Sequence, residues 1–274
     1  MSDIPTIHQV ARFLEQWAPR ASAQSYDNVG LQVGDPQAEV HTAVLALDMT
    51  PAVLEEARAV EASLVITHHP LIFRPLRHVT TAEYTSNLTL RLAAEGVALY
   101  SIHTNLDAAS GGVSFALGRQ LGLTDLEFLD AFDPETSETG MGAVGRLDPP
   151  RTLEYFLHHV AGRLRTPSLR YVGDPSAHVE RIAVCGGAGS GLVHTAAAAG
   201  ADAYVTADVK YHEFFNALDA DGRPRLAFVD AGHYETEAVT EVLLAEELQK
   251  QFPTTSWRRT ATRTSPVRTY VAAP

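Results

Sequence analysis

Two segments of the chain end in the same pair of metal-liganding residue types. His103-Thr-Asn-Leu-Asp107 follows the apolar run Val97–Ile102, and His233-Tyr-Glu-Thr-Glu237 follows Leu226–Asp230. Each is a histidine and a carboxylate four positions apart at the end of an expected strand. On a helical turn that spacing puts both side chains on one face, where they can share an ion. A third group, the adjacent pair His68-His69, follows the run Ser63–Thr67. In an extended segment neighbouring side chains point to opposite sides, so this pair is expected to reach two different ions rather than chelate one. Asp208 follows a further expected strand, 203–206, and completes the set. Imidazoles and carboxylates in these numbers suit a two-metal site, whose chemistry is to activate water and polarise a substrate oxygen. Cys185 is the only cysteine, so no thiolate cluster or internal disulfide can form. Nitrogen and oxygen donors suit zinc, iron, manganese, cobalt or nickel.

The elements that must position these residues repeat. Ala43–Asp48 followed by "EEARAVEASLVITHHP" resembles Arg181–Gly186 followed by "HTAAAAGADAYVTADV", which sets His68-His69 opposite Ala207-Asp208. We read an internal duplication of roughly 43–107 onto 181–237. The first copy predicts strand 42–48, helix 51–62, strand 63–67, helix 81–95 and strand 97–102. The second predicts strand 181–185, helix 191–200, strand 203–206, helix 210–219, strand 226–230 and helix 235–251. Strand, helix, strand in this order implies parallel pairing through crossover helices. In open α/β sheets ligands bind beyond the carboxyl ends of the strands, so the candidate residues are expected in one cleft.

Outside the repeat, Ile7, Val10, Leu14 and Trp17 fall on one face of a helix over 5–18. "SYDNVGLQVGDP" reads as a turn-rich loop, in which Asp27 and Asn28 either form a turn or close over the metal cleft. Helices are expected at 111–121 and 152–165, a strand and turn at "PSLRYVGDP", and an edge strand near 266–272. The Gly-, Pro- and acid-rich stretch 126–150 reads as a loop or connection. "CGGAGSG" at 185–191 fits a tight strand-to-helix turn better than an anion nest, and it matches neither the dinucleotide nor the Walker pattern. His8, His41, His78, His158, His159, His178 and His194 are expected at the surface or in caps, and His212 on a helix surface.

A net charge of −12 argues against broad nucleic-acid binding. The basic stretch holding Arg258, Arg259, Arg263 and Arg268 reads as a solvated edge strand or subunit contact rather than a phosphate patch. No apolar run is long enough to span a membrane, and the N-terminus lacks the order of a signal peptide, so a cytoplasmic location is expected.

The motifs "SYDNVGLQVGD", "ALDMT", "LVITHHPLIF", "IHTNLDAASGGV", "AVCGGAGSG", "ADAYVTADVKYHEF" and "DAGHYETE" occur in the order found in a known family. The chain resembles the Nif-three-like dinuclear metal-centre proteins, many labelled GTP cyclohydrolase I type 2, in their short form without an inserted domain. The resemblance implies an α/β fold of duplicated, intertwined αβα lobes with mixed, largely parallel sheets and a metal site in the cleft between lobes. The lobes would be 1–125 and 181–274, joined by 126–180. It implies a toroidal homohexamer and two divalent transition-metal ions per chain. Carried over by motif, the ligands would be His68, His69, Asp107, His233 and Glu237, with Glu237 bridging. His103 and Asp208 would stand beside the metals as proton-transfer groups. Ala207 replaces a glycine common in the family, which weakens the role carried over to Asp208.

Two functions compete. The first is a metal-dependent hydrolase acting on a small molecule: hydroxide attack on a purine nucleotide ring, as in GTP opening, or cleavage of a phosphoester or amide. The second is a metal-binding scaffold or regulatory protein without turnover. An acid/base beyond the ligands, His103, favours the enzyme.

Overall fold

The computed structural model describes residues 4–133, 135 and 138–270. In chain order the elements are α1 (Ile7–Trp17), β1 (Gly30–Val33), β2 (Thr42–Ala46), α2 (Pro51–Ala59), β3 (Leu64–Thr67), α3 (Tyr84–Glu95), β4 (Ala98–Ser101) and α4 (Thr104–Asp107). They continue with α5 (Val113–Gln120), β5 (Thr124–Ala131), β6 (Gly140–Thr152), α6 (Leu153–Leu164), β7 (Arg170–Val172), β8 (His178–Val184) and α7 (Val193–Ala198). The chain closes with β9 (Ala203–Thr206), a 3₁₀ segment (Tyr211–Ala217), β10 (Ala227–Asp230), α8 (His233–Glu237), α9 (Val239–Gln251) and β11 (Ser256–Arg259). Two compact units result: Met1–Leu106 with Thr240–Pro266, and Asp107–Val239 with Val267–Pro274.

Local chemistry sets the element starts. Thr6 and Gln9 close a capping box on α1, whose Ile7, Val10 and Leu14 are buried. Thr50 caps α2 ahead of Pro51, which sits where its missing N–H costs least. Thr152 caps α6 in the same way. Gly96 ends α3 in the left-handed conformation, at φ 69°. Strands β2, β3 and β4 are buried almost throughout, as parallel strands covered on both faces must be.

The first unit holds a five-stranded sheet in the order β1-β4-β3-β2-β11, and the second a six-stranded sheet in the order β5-β6-β8-β9-β10-β7. In the first, β4, β3 and β2 are parallel neighbours and β1 runs antiparallel beside β4. In the second, β10, β9 and β8 are parallel neighbours and β7 runs antiparallel beside β10. The duplication therefore extends further toward the N-terminus than the sequence match: α1 and β1 correspond to α6 and β7. The first core packs α2 and α3 onto its sheet through Val53, Leu54, Leu88 and Leu92 against Val44, Val65 and Leu99. The second sheet is covered on one side by a cluster with Leu117, Phe156 and Val160, and on the other by one with Val193, Tyr204 and Phe228.

Several expectations need correction. The stretch 126–150 is not a loop; it lies largely in β5 and β6, an antiparallel pair in the second sheet. Its glycines are not turn residues but points of close approach: a Cβ on Gly145 would stand 2.7 Å from the Thr124 carbonyl oxygen, and one on Gly140 2.5 Å from that of Asp130. No strand occupies 266–270, and positions 271 and 272 lie outside the described residues. The edge strand is β11 instead, parallel to β2 and carrying Arg258 and Arg259. β1 forms inside the segment read as a loop. Helix 210–219 is a 3₁₀ segment, and helix 235–251 is divided into α8 and α9.

Candidate metal centre

In the first unit β3 and β4 end side by side, with Thr67 paired to Ser101, and deliver His68, His69 and His103 to one place. The chain bends directly after β3, where the Thr67 hydroxyl donates to the His69 carbonyl at 2.8 Å. That bend corrects the expectation for an extended segment. The rings of His68 and His69 lie 5.1 Å apart, and the His103 ring is 5.1 and 5.2 Å from them. Donor atoms of all three fall within 4.8 Å of one another, a group that could hold a metal ion.

Each of these rings is held from behind. Nδ1 of His68 lies 2.8 Å from the Ile102 carbonyl oxygen. Nδ1 of His69 is 2.7 Å from Asp48 Oδ1, and Nδ1 of His103 is 3.0 Å from Asp27 Oδ1. Carbonyl and carboxylate oxygens only accept, so the proton sits on Nδ1 and Nε2 presents a lone pair. This is how metal-binding histidines are fixed in tautomer and orientation. Asp48 is fixed in turn by the Thr264 hydroxyl, which donates to Oδ2 at 2.6 Å. The Asp27 side chain is fully buried. Burial alone would raise its carboxyl; hydrogen bonds from His103 and Thr104 outweigh that and hold it well below the usual carboxylate range.

In the second unit β10 ends before Gly232, and α8 begins at His233. The expected helical pairing forms: Nε2 of His233 is 3.0 Å from Oε2 of Glu237, one turn on. Nδ1 of the same ring is 2.9 Å from Asp208 Oδ2. Asp208, at φ 54°, is exposed just past β9, so it stands behind His233. His233 is thus held between two carboxylates, and its Nε2 together with Glu237 Oε2 could hold a shared cation. Glu237 is buried.

"CGGAGSG" wraps this pair. A Cβ on Gly187, at φ +61°, would stand 2.1 Å from Glu237 Oε1 and 3.3 Å from the His233 ring. The stretch is a tight turn against a carboxylate, the reverse of an anion nest. Burial, then the charges of Asp107 and Glu237, push the Cys185 thiol up to about 12. Carboxylate oxygens of Asp107 and Glu237 lie within 4.8 Å of one another.

The remaining histidines stand elsewhere. His8, His41, His78, His158, His178 and His194 are exposed, and His159 bonds the Leu121 carbonyl at 2.9 Å. His212 is exposed among Tyr211 and Phe215. Sequence reasoning left the role of Asp27 open and missed Asp48. The available signal for Asp48 was its position at a strand end, shared with every other candidate.

The Duf34/NIF3 (NGG1p interacting factor 3) family model matches residues 5–266. The chain belongs to this family. A Lactococcus lactis protein named GTP cyclohydrolase 1 type 2 homolog is 36% identical over 238 residues, covering 86% of this chain and 88% of its own. The crystal structure of a hypothetical protein from Staphylococcus aureus superposes with a TM-score of 0.88 at 27% identity, covering 97% of this chain and 99% of its own. A Bacillus cereus protein related to NIF3 gives 0.89 at 24% identity, covering 98% and 100%, and shares the fold of two mixed sheets. Among the described residues no helix is long and apolar enough to cross a membrane.

Proposed function

We propose that this NIF3-family chain is a hydrolase dependent on two divalent transition-metal ions, acting on a small molecule. The observation that carries the reading is the common arrangement of His68, His69, His103 and His233, each with Nδ1 held by an oxygen acceptor. Anchoring at Nδ1 fixes a ring so that Nε2 can face an ion, as metal-binding histidines require. The ligands would be His68, His69, Asp107, His233 and Glu237, as the family motifs suggest. When bound, they supply an activated water and an electrophile for a substrate oxygen.

The other roles fall to the chain's own residues. His103, backed by the ionised Asp27, is arranged to take a proton at Nε2 and to be stabilised as imidazolium once it has. Asp208 we assign to holding His233 rather than to shuttling protons. A purine nucleotide substrate is supported by the name of the relatives, GTP cyclohydrolase 1 type 2 homolog. A phosphoester or amide suits the same donors. A toroidal homohexamer, supported by the family resemblance, and a cytoplasmic location, supported by the N-terminal sequence, belong to the same proposal. The scaffold reading has one support, the family description as an interacting factor.

The test is turnover of GTP and of generic phosphoesters by metal-loaded protein, alongside His103→Ala. Turnover lost with metal retained supports the assignment. Turnover that survives loss of the metal ligands contradicts the hydrolase reading.

A further inference from the structure

A cavity of about 510 Å³ opens within the first unit between α2, α9 and β11. That volume lies in the range of small-molecule sites. Its lining is Glu56, Val60, Glu241, Arg258, Arg259 and Thr260, none of them a candidate metal donor. All but Val60 are polar, and two carboxyls share the wall with two guanidiniums.

These opposite charges do not meet. Glu56 is committed elsewhere: its Oε2 accepts from the Thr260 hydroxyl at 2.6 Å and its Oε1 from the Ala261 N–H at 3.0 Å, which ties the segment after β11 to α2. Glu241 is only 9% exposed, yet among the described residues its carboxyl makes one hydrogen bond, from the Leu47 N–H to Oε1 at 3.2 Å. Arg258 donates to the Ser256 hydroxyl at 3.3 Å, and Arg259 makes no hydrogen bond or ion pair among the described residues. One neutral donor compensates a buried carboxylate poorly. Burial accordingly pushes Glu241 up to about 7, against the Leu47 N–H and the charge of Arg259. An ammonium group beside it would favour the ionised form and supply the missing donors. The planar forks of Arg258 and Arg259 suit a carboxylate. With both acids ionised the wall carries as many negative as positive charges, which favours a dipolar, net-neutral ligand over an ion of either sign.

We infer that the cavity between α2, α9 and β11 binds a small zwitterion, with its ammonium group on Glu241 and its carboxylate on Arg258 and Arg259. That is the chemistry of a free amino acid. The site goes beyond the hydrolase reading and does not depend on it.

The experiment is calorimetric titration of the full chain with the common L-amino acids, and with the N-acetyl and carboxamide forms of each one that binds. It is run on protein as isolated, on metal-depleted protein, and on Glu241→Gln and Arg259→Ala. Glutamine keeps an acceptor for the Leu47 N–H, and Arg259 is exposed, so both variants are expected to fold. The expected result is that at least one amino acid binds. Blocking either of its charged ends, or making either substitution, costs roughly tenfold or more in affinity. Depleting metal leaves the affinity unchanged. The blocked ligands read the same two contacts on wild-type protein, so the inference stays testable where a variant fails to fold. No amino acid binding, a blocked form binding as well as the free one, or folded variants with unaltered affinity would each overturn it. Binding lost on metal depletion would place the amino acid on the metal instead, and would overturn it too.

Discussion

Oε2 of Glu237 lies 3.0 Å from Nε2 of His233, and Asp208 holds the far side of the same ring at 2.9 Å. A carboxylate on each side fixes the His233 ring, so on the metal-centre reading Asp208 acts on the ion through His233. Replacing Asp208 with alanine is expected to weaken metal affinity by roughly 10–100-fold. The side chain is exposed, so the unfolding midpoint should fall only by the modest cost of alanine at a φ of 54°. Competitive titration with a chelating dye measures the affinity; an unchanged value would deny Asp208 its positioning role.

Gly187 offers a steric test of the same pair. Its φ of +61° disfavours any side chain, and an added Cβ would occupy the place of the Glu237 carboxylate at 2.1 Å. Gly187→Ala is expected to lose most of its metal while costing roughly 1–2 kcal/mol in stability. Metal analysis together with urea unfolding separates the two effects. Full metal content in a folded Gly187→Ala protein would contradict the position given to Glu237.

Asp27 carries a pH signature. Its carboxyl is held well below the usual range, so its ionisation stabilises the fold above the ordinary carboxyl value of about 4. That contribution is lost as pH falls from there through the depressed value. The stability advantage of wild type over Asp27→Asn should be largest near pH 7 and shrink steadily below about pH 4. Urea unfolding of both proteins across this range reads it.

Much of this was legible in the sequence, and the losses have physical causes. The repeat, the buried parallel strands and the second His-x-x-x-carboxylate turn depend on local pattern, and α8 pairs His233 with Glu237 as the spacing requires. The bend after Thr67 was not legible, because it rests on a hydroxyl-to-carbonyl bond that no periodicity reports. β5 and β6 were hidden because Gly140 and Gly145 look like turn residues until the neighbouring strand backbone is in view. Asp48 was hidden because its partners come from far along the chain: His69 is 21 residues on and Thr264 is 216 residues on.

Glu241 gives the opposite pH dependence to Asp27. Burial pushes its carboxyl up to about 7, against the Leu47 N–H bond that lowers it. The folded state therefore prefers the protonated form. The stability this confers is fully present below the ordinary carboxyl value and lost as pH rises through about 7. Glu241→Gln is expected to match wild type at pH 4 and to exceed it at pH 8 by at most on the order of 3 kcal/mol. A difference independent of pH would show that Glu241 is not held protonated.

The most direct test of the metal centre is elemental analysis of the protein as isolated and after reconstitution, for wild type and Glu237→Ala. The account expects about two divalent transition-metal ions per wild-type chain and a sharp fall in the variant. Wild-type protein that carries no metal and takes none up would contradict it, leaving the anchored histidines as structural residues.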